Sequence, residues 1–134
     1  MVLAANQRFY AALEALDLDL MSEIWLHEDW VKCIHPGWGP IDGWLSVRES
    51  WEQIFRNAQE IRIFLDHAVA RVEGRIGWVS CVENIYDRSV NELETAQALS
   101  TNIFFFTDGR WRLTHHHSSL LPHSTTHHPG ATVQ

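Results

Sequence analysis

Phe9, Leu13 and Leu16, with Ala12 beside them, recur at spacings of four and three along the first segment. That is the apolar stripe of an amphipathic helix, and it predicts one from about Val2 to Leu16. Asp17 and Asp19 are each suited to cap a following helix, whose short stripe is Leu20, Met21, Ile24 and Trp25. From Trp30 to Ile34 the chain is apolar or β-favouring apart from Lys32, and Pro36-Gly37 and Gly39-Pro40 then break it, so a first strand should run into a loop. A third helix is predicted from about Trp44 to Asn57. Ser46 and Glu49 have the spacing of a capping box, and Val47, Trp51, Ile54 and Phe55 share one face.

Beyond Ile61 the texture changes to long β-rich runs, Glu60 to Glu73, Arg75 to Asp87, Thr95 to Thr107 and Arg110 to Ser118. Gly74, the Ser89–Asn91 region and Asp108-Gly109 separate them, and the Asp-Gly pair is the strongest hairpin signal because it tolerates the positive φ angles of a tight turn. Three helices with one early strand, followed by four strands, predict an α+β domain with helices packed on one face of a curved, mostly antiparallel sheet. No internal repeat is evident. After Leu121 the chain is polar and broken by Pro122, Pro129 and Gly130, the texture of a flexible tail.

Composition narrows the class of protein. A chain of 134 residues suits one domain able to bury roughly two thirds of its unfolded surface, and 46% hydrophobic with 20% charged residues is ordinary for a folded globule. The net charge is -7 with ten scattered Lys and Arg, which argues against a nucleic-acid partner. Cys33 and Cys81 lie in apolar, strand-like stretches and suggest buried free thiols in a reducing cytoplasm rather than a disulfide framework. No basic n-region with a long apolar run opens the chain, and no stretch approaches the about 18 apolar residues of a membrane span, so neither secretion nor membrane insertion is expected.

Three local patterns resemble the nuclear transport factor 2-like superfamily. The run Gln7 to Ala15 with Asp17-Leu18-Asp19 looks like the first two helices of bacterial ketosteroid isomerases. Ile34-His35-Pro36-Gly37, followed by Gly43 and Trp51, is similar to SnoaL-like proteins. Thr101 to Ser119, with Asp108-Gly109-Arg110-Trp111 and then His115, His117 and Ser119, resembles the association domain of calmodulin-dependent protein kinase. The resemblance implies a cone-shaped fold over residues 1–121, ahead of the flexible tail over 122–134, with a pocket between the first helix, the first strand and the later strands. It also implies pairing into a homodimer through the outer face of the sheet. The scaffold serves isomerases, dehydratases, cyclases, hydrolases, transport factors and assembly hubs, so function has to be argued from the pocket.

The resemblance puts His35 where a ketosteroid isomerase carries its carboxylate base, and an imidazole could exchange a proton there near neutral pH. A loop-capping hydrogen bond is the alternative role. Asn102 falls, on the resemblance, at an oxyanion-stabilising or ligand-binding position, and period-two alternation puts it on one face with Ala98, Ser100, Phe104 and Phe106, a polar pair in an otherwise apolar row. Alternation along the last strand puts Trp111, Leu113, His115 and His117 on one face, so His115 and His117 are expected in the pocket. A His-x-His pair with His35 has the makings of a zinc site, but such a pair occurs in these relatives where no metal is expected, and no metal or cofactor is assigned.

Phe9 stands where the isomerases carry a catalytic tyrosine. Tyr10 is one place along and about 100° round the helix, so it is not a simple substitute. Trp38, beside His35, is the expected pocket wall, with Phe9 and Tyr10 near it, and Glu83 reads as half of a structural salt bridge. The expected function is binding of a small molecule, with or without catalysis. The alternative is an isomerase, dehydratase or cyclase that uses His35 as general base on a small carbonyl-containing substrate.

Overall fold

A computed structural model describes residues 1–89 and 92–122. Val90, Asn91 and the predicted tail from His123 onward lie outside the described residues. The elements are α1 (Val2–Ala15), α2 (Leu18–Ile24), β1 (Lys32–Ile34), β2 (Ile41–Asp42), α3 (Trp44–Asn57), β3 (Glu60–Glu73), β4 (Ile76–Arg88), β5 (Leu93–Thr107) and β6 (Arg110–Leu120). No helix is long and apolar enough to cross a membrane among the described residues.

The helices form where the stripes predict them, but the caps differ. Of the two aspartates, Asp17 caps α2, its side chain accepting from the Leu20 amide at 3.0 Å. The Ser46/Glu49 capping box is not used: α3 already begins at Trp44, behind Gly43 at φ 89°, and has no side-chain cap. Gly43 there spends its own amide on the Val31 carbonyl, which ties the start of α3 to β1.

The six strands form one sheet in the order β2-β1-β6-β5-β4-β3. β1 runs parallel to β6, and the other pairs are antiparallel. Asp108 and Gly109 both take positive φ, 52° and 81°, and close the β5–β6 hairpin as the sequence predicts. The short β2, which carries no strong sequence signal, pairs with β1 across the Pro36–Pro40 loop.

Two irregularities shape the sheet. In β3 the register shifts between Asp66 and Val69, with His67 at φ 55°. In β6 the pairing jumps from Ile103–His115 to Phe104–Leu113, so Thr114 is an extra residue opposite β5, and its hydroxyl donates to the Ile103 carbonyl. Bulges of this kind bend and twist a sheet, consistent with a sheet curved around its helices. The core between them is built on Phe9, Tyr10 and Leu13 of α1, Val47 and Trp51 of α3, and Val79, Phe104 and Leu113 of the sheet. α1 lies close on β4: a Cβ built on Gly77 would meet the Val2 side chain at 2.9 Å, which is why that strand position carries glycine.

Candidate functional site

A cavity of about 520 Å³ lies between α1, α3 and the concave face of the sheet. Its walls are apolar, built from Leu13, Trp51, Ile54, Ile61, Ile63 and Ile85, with His35, Glu83 and His116 as the polar groups deep inside. Trp38, Asp87 and Glu94 line it at more exposed positions. Among its described lining residues there is no Lys or Arg.

His35 follows β1 and is 2% exposed, with its ring edge-on to Trp38 and Trp51 at centroid distances of 4.8 and 4.5 Å. Its Nε2 lies 2.8 Å from Ser50 Oγ. Ser50 has one hydroxyl proton and donates it to the Val47 carbonyl at 2.7 Å, so its oxygen can only accept from His35. The neutral ring therefore carries its proton on Nε2. Burial, and secondarily the neighbouring His116, lower the His35 pKa from 6.5 to about 3, which keeps the ring neutral at physiological pH.

Period-two reading predicts His115 and His117 in the pocket, and the structure corrects this. His116, 2% exposed, points inward, while His115 and His117 point out of the opposite face, beside Lys32 of β1. The physical reason is the extra residue Thr114. Leu113 and Thr114 are both buried, and inward facing then passes to His116 and Ser118. Leu113 is held on the inner side by chain entering from α2, whose Leu26 amide donates to the Leu113 carbonyl at 2.9 Å. The predicted convergence of His35, Asn102 and His117 on one cavity accordingly becomes His35 and His116, with Asn102 behind them.

Asn102 is fully buried and lies behind the cavity lining. Its amide nitrogen donates to Asn6 Oδ1 at 2.8 Å and to the Tyr10 hydroxyl at 3.1 Å, which leaves its carbonyl oxygen to accept from His116 Nδ1. His116 therefore carries its proton on Nδ1. Its pKa is lowered to about 3 by burial, then by His115 and His117, so Nε2 keeps a bare lone pair with no hydrogen-bond partner among the described residues.

Phe9 and Tyr10 are both buried, because the inward stripe of α1 runs Val2, Ala5, Asn6, Phe9, Tyr10, Ala12 and Leu13 and is wide enough to take two adjacent residues. Phe9 packs on the His116 ring at 4.9 Å. The Tyr10 hydroxyl does reach the polar centre of the fold, contrary to the one-place-along expectation, and donates to Glu83 Oε2. Neither lines the cavity; they support the residues that do.

The sequence predicts Glu83 in a salt bridge, and among the described residues it is in none. At 3% exposed it accepts from Tyr10 and, at 2.6 Å, from Ser118, and it lines the cavity. Burial raises its pKa, while those hydrogen bonds oppose the rise. A continuous chain thus runs from Glu83 through Tyr10 and Asn102 to His116. The sequence singles out the ends of this chain only weakly, because three consecutive histidines on a strand leave its parity undecided. Cys33 and Cys81 are buried free thiols, and burial raises both pKa values, so neither is poised as a thiolate nucleophile. No group of three or more His, Cys, Asp or Glu suited to a metal occurs among the described residues.

The SnoaL-like domain matches residues 2–123, almost the whole described chain. The protein belongs to the SnoaL-like domain family. This SnoaL-like domain superposes on a candidate dehydratase of the NTF2-like family from Streptomyces avermitilis with a TM-score of 0.86 and 32% identity, covering 91% of this chain and 94% of that one. It is also similar to a candidate calcium/calmodulin-dependent protein kinase type II association domain from Thiobacillus denitrificans, at TM-score 0.70 and 30% identity over 89% and 94% of the two chains. The F-box protein SKIP8 of Arabidopsis thaliana is 28% identical over 120 residues, 90% of this chain; the chain spans about half the length of that relative. The fold implied by the resemblance, helices on a curved and mostly antiparallel NTF2-like sheet, is the one present.

Proposed function

We propose that this SnoaL-like domain binds a small, mostly apolar molecule in the cavity and moves a proton on it without a cofactor, as a lyase or isomerase, with His116 as the base and His35 beside it. The observation that carries the reading is the bare Nε2 of a buried, neutral imidazole lining an apolar cavity. That nitrogen is not closed off within the protein but open to the cavity, where a ligand's donor or a reacting proton can reach it. The likeness to a protein described as a candidate dehydratase supports the same reading. In a dehydration, Nε2 would take a proton from carbon and the C–O bond would break as C=C forms. The imidazolium would then return the proton to the departing hydroxide, so that water leaves and the ring is neutral again.

The test is proton exchange at carbon, followed by NMR in deuterium oxide with a set of small neutral β-hydroxy ketones. The wild type should speed loss of the α-proton signal, and His116→Asn, which keeps a donor for Asn102 but loses Nε2, should lower that rate about a hundredfold or more. Equal rates in the two proteins would end the catalytic reading. Binding without turnover is the second reading, favoured by one observation: the Tyr10 hydroxyl and both Asn102 amide hydrogens are spent within the protein, so neither is free to stabilise an oxyanion.

Two copies would pair through the convex face of the sheet. Phe64, Tyr86, Leu93 and Leu99 are exposed together there, and this supports the homodimer.

A further inference from the structure

The cavity has a hydrogen-bond polarity that follows from where each proton is held. At its floor, His116 presents Nε2 as an acceptor, because Nδ1 is committed to Asn102. Glu83 presents carboxylate oxygens that already accept from Tyr10 and Ser118. The Nε2 proton of His35 is spent on Ser50. The nearest hydroxyl and amide, Tyr10 and Asn102, have likewise committed their protons inside the protein. Among the described lining residues, the Trp51 indole N–H is closed off from solvent and has no partner, and the other free donors, the Trp38 indole and the Thr95 hydroxyl, sit at exposed positions away from the floor. The floor is therefore rich in acceptors and poor in donors.

Charge acts in the same direction. Glu83 lies inside the cavity, Asp87 and Glu94 lie further out beside Trp38, and no Lys or Arg is among its described lining residues. A carboxylate or phosphate entering would lose its hydration, meet three acidic side chains and find no cation. A neutral molecule meets no such barrier, and a positive group at the level of Asp87, Glu94 and the Trp38 ring would be favoured.

We infer that the cavity selects a neutral or cationic apolar molecule whose buried end carries a hydroxyl or N–H, and that it rejects anions and molecules whose buried end can only accept. This rests on the small-molecule reading above and deepens it: a bare carbonyl is the wrong head group for this floor. The geometry behind it is specific. A ligand hydroxyl or N–H can donate to His116 Nε2, which faces the cavity with no partner among the described residues, whereas a ketone oxygen would face a lone pair.

The experiment uses matched two-ring fragments, 2-naphthol, 2-acetylnaphthalene and 2-naphthoate, with further triplets of the same three kinds, titrated by calorimetry and by NMR of the His116 and Trp51 resonances. The donor-headed member should bind about tenfold or more tightly than the acceptor-headed one, and the anion should not bind measurably. In protein with ¹⁵N-labelled histidine, one nitrogen of His116 should resonate as a bare imidazole nitrogen before ligand is added and shift when the donor-headed fragment binds. His116→Phe, which keeps a ring but no acceptor, should bring the first two fragments to equal affinity. Should that variant not fold, the wild-type ranking and the nitrogen shift decide alone.

Equal or tighter binding of the ketone, which would make the Trp51 indole the working contact, or of the anion, would overturn this inference while leaving a small-molecule cavity in place. If no fragment of any kind moves the cavity resonances, the small-molecule reading falls and this inference falls with it.

Discussion

Acidification should unfold this domain through two named residues. His35 and His116 are both about 2% exposed and hold pKa values near 3, against 6.5 for a solvated imidazole. Their folded pKa values are depressed, so the unfolded chain binds more protons than the native one between pH 6.5 and about 3. Stability therefore falls as pH falls through that window. From about pH 7 to about pH 5 an unfolded imidazole goes from mostly neutral to almost fully protonated, while the native ring stays neutral. The proton-binding difference is then worth about 2 kcal/mol per histidine and about 4 kcal/mol for the pair. That figure holds for any native value well below 5, so it does not depend on the depth of the depression.

Glu83, with its pKa raised by burial, acts in the opposite sense and offsets part of the loss as it protonates in the native state. A comparison with variants isolates the histidines. Urea unfolding at both pH values should show the wild type losing about 2 kcal/mol more than His116→Asn, and about 2 kcal/mol more than His35→Gln, which keeps a donor toward Ser50. Identical pH dependence in wild type and either variant would show that the histidine titrates normally in the folded protein. The burial argument for a neutral ring at that site would then be wrong.

Tyr10→Phe removes the hydroxyl that links Glu83 to Asn102, and should lower stability by about 1–3 kcal/mol in the same urea assay. Gly77→Ala should cost about 1–3 kcal/mol by crowding Val2, and Val2→Ala in the same chain should recover much of it, a coupling that a double-mutant cycle reads directly. Light scattering should give about twice the 15.5 kDa chain mass, and Leu99→Lys should return it to the monomer value; a wild type monomeric at micromolar concentration would rule out the pairing.

Much of the fold was legible in the chain because it follows from local periodicity. The stripes of α1 and α3, the long alternating runs and the Asp108-Gly109 turn are decided by which residues a helix or strand can bury on one side, and such patterns survive into any arrangement that hides them. His35 could be marked from the family resemblance around Ile34-His35-Pro36-Gly37, and Asn102 from that resemblance and its place in an apolar row. What only the tertiary structure decided was parity and partnership. One extra residue at Thr114, bonded to the Ile103 carbonyl of β5 and next to Leu113, whose carbonyl accepts from the Leu26 amide beyond α2, exchanges His115 and His117 for His116, and period-two reading cannot detect it. Likewise Tyr10, Glu83, Asn102 and His116 are separated by up to about a hundred positions in the sequence, so the chain of hydrogen bonds that sets the tautomer of His116 exists only once α1 lies on the sheet. Residue type determined which groups could titrate; the direction in which each proton points, and hence what the cavity can accept, is a property of the packed fold.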